Sequence, residues 1–173
     1  MTEIMHRTRR PEKVYIGIDN GVTGSLGIIS TSGALYAEYH KTPTISCLNY
    51  QKEVAYITRI NVVALRDILE GVHCPFALVE RPLVNPSMFK ATLSAVRALE
   101  ATLTVLDFLK IPMRFVDSKE WQKEMLPSGI KGPEELKRAS LEVGRRLFPA
   151  QAHLFKGDAD GILIAEWGRR GGL

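Results

Sequence analysis

A short apolar run that ends in a carboxylate and then reverses constrains this chain more than any other stretch. Val14-Tyr-Ile-Gly-Ile-Asp19 is β-branched and aromatic, the composition of a strand. Asn20-Gly-Val-Thr-Gly24 follows, and Leu26-Gly-Ile-Ile29 returns as a second apolar run. Gly21 and Gly24 let the backbone reverse through conformations that a Cβ opposes. The stretch therefore predicts two strands joined by a Gly-rich turn, with Asp19 at the end of the first. A carboxylate at the end of a buried strand is costly unless something neutralises it. A bound cation can do so, and so can a turn that Asp19 caps with its own side chain. The stretch alone leaves both readings open, and the other acids must decide.

The chain has 173 residues, 45% of them hydrophobic, enough for one globular domain over 1–173 with a sizeable core. No apolar run has the length of a bilayer span. Residues 1–13 are polar and basic and lack the apolar stretch of a signal peptide. Cys47 and Cys74 have no metal-ligand spacing and suggest reduced thiols, so a cytoplasmic protein is expected. The 23 Lys and Arg exceed the 19 Asp and Glu by a net +4, which only weakly favours nucleic acid. Neither an internal repeat nor a low-complexity segment is present.

The rest of the chain reads in order. The arm over 1–13 carries Arg7, Arg9 and Arg10. Residues 34–39 alternate and predict a third antiparallel strand, and 41–51 read as a loop. Residues 54–70 have helical period, with Ile57, Ile60, Ala64, Leu65, Ile68 and Leu69 on one broad face and Gly71 as the stop. Cys74-Pro-Phe-Ala-Leu-Val-Glu80 is nearly all apolar, as in a buried parallel strand. Arg81-Pro82 stops it and leaves Glu80 at its tip, on the edge of an α/β sheet where ligands bind.

Residues 89–110 predict a long helix that is apolar on two sides. Phe89, Leu93, Val96, Leu99, Leu103 and Leu106 mark one side; Ala91, Ala95, Ala98, Val105 and Leu109 mark the other. Such a helix needs two neighbours: the sheet, and either another part of the domain or a second chain. A strand over 112–116 comes next. Asp117 or Ser118 then caps a short helix to Met125, with Glu120 at capping-box spacing and Trp121 in the core. Pro133 opens another helix, with Glu134 and Glu135 in its first turn and Arg145 and Arg146 in its last. Lys119, Lys123, Lys131, Lys137 and Arg138 add to the positive charge of this region, which is either a solvated face or a phosphate-binding surface. A last helix has Asp158 near its N-cap and Asp160 in its first turn, and 168–173 read as a frayed basic end.

Two strand tips and one helix start can converge on one sheet edge. Asp19, Glu80, Asp158 and Asp160 brought together there would repel unless divalent cations bridge them. Oxygen ligands without His or Cys suit Mg²⁺ or Mn²⁺. Two such ions about 4 Å apart activate water and stabilise the leaving oxygen of a phosphodiester.

Three stretches carry a family resemblance. Ile16-Gly-Ile-Asp19-Asn-Gly-Val-Thr-Gly24, Ala77-Leu-Val-Glu80-Arg-Pro82 and Asp158-Ala-Asp160-Gly-Ile-Leu-Ile-Ala165 resemble the successive acidic motifs of RuvC-type Holliday-junction resolvases, above all their bacteriophage forms. Ser118-Lys-Glu-Trp121 and Arg145-Arg-Leu-Phe-Pro149 add to the likeness, which runs from about residue 14 to 170. It implies an α/β, ribonuclease H-like three-layer fold with a mixed five-stranded sheet flanked by helices. It implies Mg²⁺-dependent nicking of four-way junctions or other branched DNA, with two ions per site and Mn²⁺ as a substitute. By the likeness Asp19, Glu80 and Asp160 are catalytic metal ligands, with Asp158 the fourth. Arg9, Arg10, Lys119, Lys123, Lys131 and Lys137 would track phosphates. Two symmetric cuts call for a homodimer, through the 89–110 helix. No nucleotide cofactor or membrane is expected.

The sequence departs from the family in two places. The last two acids are only two residues apart and cannot share a helix face, so Asp158 reaches the metals only if it precedes the regular helix. After Glu80, the best-known bacterial members place an aromatic residue where Leu83 and Val84 stand here. Two rivals follow. A branched-DNA-binding protein with a disabled site is one. The other is an actin-like or sugar-kinase-type ATPase fragment, because Gly17-Ile-Asp19-x-Gly21 also resembles a phosphate loop. That fold needs two such domains, for which 173 residues leave no room.

Overall fold

A computed structural model describes residues 13–30, 36–50, 52 and 54–171. Strands β1 (Val14–Asp19), β2 (Ser25–Ser30) and β3 (Tyr36–Lys41) form an antiparallel meander. The hairpin β4 (Thr44–Leu48) and β5 (Tyr56–Ile60) stands apart as its own two-stranded sheet. Helix α1 (Val62–Leu69) leads to β6 (Pro75–Glu80), which lies parallel to β1. Helix α2 (Phe89–Phe108) leads to β7 (Met113–Val116), parallel to β6. Helices α3 (Ser118–Met125), α4 (Pro133–Leu147) and α5 (Asp160–Gly171) complete the chain. The main sheet has the order β3-β2-β1-β6-β7, the mixed five-stranded sheet expected.

Strand alternation assigns the two faces. Ile16, Ile18, Ala77 and Val79 bury against α1 and α2. Tyr15, Leu78 and Val116 bury against α3, α4 and α5. Helices thus cover both sides of the sheet, and Asp19, two residues on from Gly17, belongs to the α5 side. Helix α5 lies unusually close to that side. A Cβ on Gly17 would stand 2.2 Å from the Gly161 carbonyl oxygen, and one on Gly27 would stand 2.2 Å from Ile162 Cα. Backbone packs directly on backbone there, and this brings the start of α5 down onto the tip of β1.

Several expectations need correction. Residues 41–51 are not simply a loop, and 54–70 are not one helix, because β4 and β5 occupy much of both. Ile57 and Ile60 belong to β5, whose Tyr, Ile and Thr residues suit a strand. The helix begins only after Asn61, whose side chain accepts a hydrogen bond from the Ala64 N–H at 3.2 Å. The long helix ends at Phe108 and buries Ala98, Thr102, Val105 and Leu106, while Phe89, Leu93 and Val96 remain exposed. The sheet therefore takes residues from both expected sides. The chain end is not frayed through Gly171. There α5 stays helical, and Arg169 and Arg170 donate to the buried Glu166 at 2.6 and 2.7 Å. Burial alone would raise the Glu166 pKa, but these two guanidinium groups outweigh it and hold the carboxylate low. Among the described residues, no helix is long and apolar enough to cross a membrane.

Candidate active site

One row across the sheet builds the site. Asp19 on β1 pairs in register with Ser25 on β2, and Ser25 pairs with Lys41 on β3. On the other side Ile18 pairs with Val79, so the next step along both strands faces Asp19 with Glu80. Four neighbouring strands thus each contribute one polar side chain at the same edge. The segment leading into α5 lies over this row. Its Ser25 anchor is explicit: the Ser25 hydroxyl donates to Asp158 Oδ1 at 2.8 Å and accepts from the Gly161 N–H at 3.1 Å.

Asp19, Asp158 and Asp160 each place a carboxylate oxygen within 4.8 Å of the others. Glu80 lies within hydrogen-bonding reach of Asp19 and acts on it as a like charge. All four acids expected from the sequence therefore meet at one edge. Helix α5 starts at Asp160, so Asp158 precedes the regular helix, the condition under which it can turn toward the others. A hollow of about 290 Å³ opens beside Asp19 and Glu80, flanked by Asn20, Leu83, Ala95 and Ser118.

Burial pushes the Asp19 carboxyl well above the usual range, and Glu80, Asp160 and Asp158 push it further. Asp160 is raised to about 6, first by burial; the Ser140 hydrogen bond opposes this and the neighbouring acids add to it. Excess negative charge in a small, poorly hydrated volume is the common cause.

Several residues with no motif of their own position the acids. Lys41 Nζ donates to Asp158 Oδ2 at 2.7 Å and to the Thr23 carbonyl at 3.3 Å. The Ser140 hydroxyl of α4 donates to Asp160 Oδ1 and accepts from the Ala159 N–H at 3.1 Å. Tyr39 OH donates to the Asp158 carbonyl at 3.0 Å. Trp121 is fully buried as expected, yet its indole N–H also points to Glu80 Oε1 at 3.5 Å. The row that joins Lys41 to Asp19 depends on strand register, which a run read as the start of a loop does not reveal. Arg81, beside the hollow, pairs with Asp117 at 2.8 Å.

The donor set fits a hard divalent cation. It consists of carboxylate oxygens at ligand-shell spacing, without sulfur or imidazole, and Lys41 is the ammonium in contact with it. Among the basic residues expected to meet phosphates, Lys119 and Lys123 are exposed on α3, whose first residue borders the hollow. Lys131 is exposed in the α3–α4 connection and Lys137 on α4. Arg7, Arg9 and Arg10 lie outside the described residues.

Neither a family model nor a curated protein matches the sequence. Solved structures do match the fold. RuvC of Thermus thermophilus in complex with a Holliday junction substrate superposes with a TM-score of 0.56 at 17% identity, over 92% of this chain and 96% of that one. Another structure of T. thermophilus RuvC gives a TM-score of 0.52 at 18% identity, with the same coverage of both chains. The fold is therefore that of RuvC, the ribonuclease H-like α/β fold that the sequence resemblance implied.

Proposed function

We propose that this chain is a divalent-metal-dependent endonuclease that nicks Holliday junctions or other branched DNA. The observation that carries the reading is the meeting of Asp19, Glu80, Asp158 and Asp160 at one sheet edge of a RuvC fold. Asp19, Glu80 and Asp160 would hold the ions, with Asp158 as the fourth ligand. Mg²⁺ or Mn²⁺, bound as a pair, would supply an activated water and charge for the departing 3′ oxygen. The chain's own residues bind and orient. Trp121 steadies Glu80, Ser140 steadies Asp160, and the crowded carboxylates create the negative potential that attracts cations. Lys119, Lys123, Lys131 and Lys137 would neutralise phosphates on either side of the cut. The junction in the T. thermophilus RuvC complex supports branched DNA as the partner. A homodimer through the exposed side of α2 would present two sites for two symmetric nicks.

The disabled-site rival drew on the two-residue spacing of Asp158 and Asp160. Asp158 ahead of the helix, with its oxygen among the others, supports a ligand role and weighs against that rival. The test is incubation with a labelled synthetic four-way junction in Mg²⁺ or Mn²⁺. Paired nicks near the branch are expected, and a chelator should abolish them. A junction left intact under both metals overturns the proposal.

A further inference from the structure

We propose that Lys41 occupies the place of a second divalent ion until DNA arrives, and that Asp158 becomes a metal ligand only when Lys41 leaves it. The inference rests on the metal-dependent reading above and says how that site is loaded.

Lys41 is built into the acid row. It is the register neighbour of Ser25, itself the neighbour of Asp19. Both Asp158 oxygens are in use: Oδ2 accepts from Lys41 at 2.7 Å, and Oδ1 accepts from Ser25 at 2.8 Å and from the Asp160 N–H at 3.4 Å. Yet an Asp158 oxygen stands at ligand-shell distance from Asp19 and Asp160. An ammonium and a dication on one carboxylate repel each other strongly in a poorly hydrated site. While Lys41 stays, Asp158 is its counter-ion, and Asp19, Glu80 and Asp160 remain for one ion.

The pair is asymmetric in a way that gives Lys41 an exit. The Lys41 side chain is 37% exposed, that of Asp158 only 11%. Lysine carries a compact charge on a flexible stem. A DNA phosphate offers that ammonium another charge-assisted partner. Asp158 would not follow it out, because Tyr39 holds its carbonyl at 3.0 Å and Ser25 holds its other oxygen. A strand entering the site would thus draw Lys41 away and leave Asp158 in place, free to ligate. Assembly of the two-ion site then depends on substrate.

Mn²⁺ binding without DNA tests this, read by titration calorimetry and by the electron paramagnetic resonance signal of free Mn²⁺. Wild type should bind one ion tightly. Lys41→Met should bind two, and Lys41→Arg, which keeps the charge, one. Asp158→Asn should gain no second ion, and Lys41→Met combined with Asp158→Asn should bind one ion where Lys41→Met alone binds two. The second ion in Lys41→Met should bind at least about tenfold more tightly than any second ion in wild type. Two tight ions in wild type, one in a folded Lys41→Met, or two in Lys41→Met combined with Asp158→Asn overturns the inference. Should Lys41→Met fail to fold, Lys41→Gln, which also removes the charge, takes its place with the same expectation of two ions. A wild-type chain that binds no Mn²⁺ overturns the metal-dependent reading as well, whereas two ions in wild type overturn this inference alone.

Discussion

Asp160 shows how much a single side chain depends on its surroundings. Its carboxyl is raised to about 6, chiefly by burial, and Asp19 is raised well above its ordinary value. Without metal, the folded chain therefore holds protons at these acids that the unfolded chain has already released. For Asp160, stability from this source is complete below the ordinary value of 3.8 and is lost as pH rises through about 6, and the raised Asp19 acts in the same direction. Replacing Asp160 by Asn removes one such acid. The metal-free Asp160→Asn variant should melt several degrees above metal-free wild type at about pH 7.5, and the gap should shrink toward about pH 4.5. Adding Mn²⁺ should reverse the order, because wild type gains a ligand and the variant loses most of it. Thermal melts across pH, with and without Mn²⁺, check this. A gap of constant size at every pH would mean that the acids do not crowd one another as described.

Helix α5 and the strands beneath it position those acids. Gly17 has no room for a methyl group, since the Gly161 carbonyl oxygen and the Ala165 nitrogen stand 2.2 and 2.3 Å from where its Cβ would lie. Backbone cannot step aside as a side chain can, so Gly17→Ala should cost about 3 kcal/mol, the upper part of the overpacking range. It should also tilt the start of α5 and reduce cleavage at least about tenfold. A Cβ on Gly71 meets nothing within 4 Å, and Gly71→Ala is the control, expected within about 0.5 kcal/mol of wild type. Urea denaturation measures both.

These elements also show what could be read from the chain beforehand. Strands β1, β2 and β6 and helices α3, α4 and α5 carry strong local signals: apolar runs, a capping acid at Asp117, Pro133 at a helix start. The four acids were legible because each sits at an element's end. The β4–β5 hairpin was not. It is mostly exposed, so it lacks a clean core-facing alternation, and Ile57 and Ile60, three residues apart, have the spacing of one helix face rather than of one strand face. The grip of Glu166 on Arg169 and Arg170 exists only once the helix runs on through them, so the sequence alone leaves that Gly-rich basic end looking frayed. Lys41 and Ser140 enter the site through register and helix packing, which depend on partners distant in sequence.

The molecule as a whole leaves a patch unexplained by its own core. Phe89 is 69% exposed and Leu93 44%, with Met88 and Val96 also open to solvent along the first half of α2. Exposed apolar side chains along one helix are the surface through which the proposed dimer would form. A two-fold dimer through it would set two acid clusters on one junction. Phe89→Glu combined with Leu93→Glu should halve the mass seen by sedimentation while leaving the melting temperature within a few degrees, because neither side chain is buried. Cutting should change from paired nicks to single ones. A wild-type chain that sediments as a monomer at all concentrations would remove the dimer from the proposal.

The whole reading turns on four acids acting together through metal, and Asp19 lies at their centre. The decisive assay places wild type and Asp19→Asn side by side on a synthetic four-way junction in Mn²⁺, with binding followed on the same DNA. Wild type should nick opposing strands near the branch; the variant should bind with affinity within about threefold of wild type and cut at least about a thousandfold more slowly. Cleavage by Asp19→Asn at the wild-type rate would show that the acid cluster is not the active site.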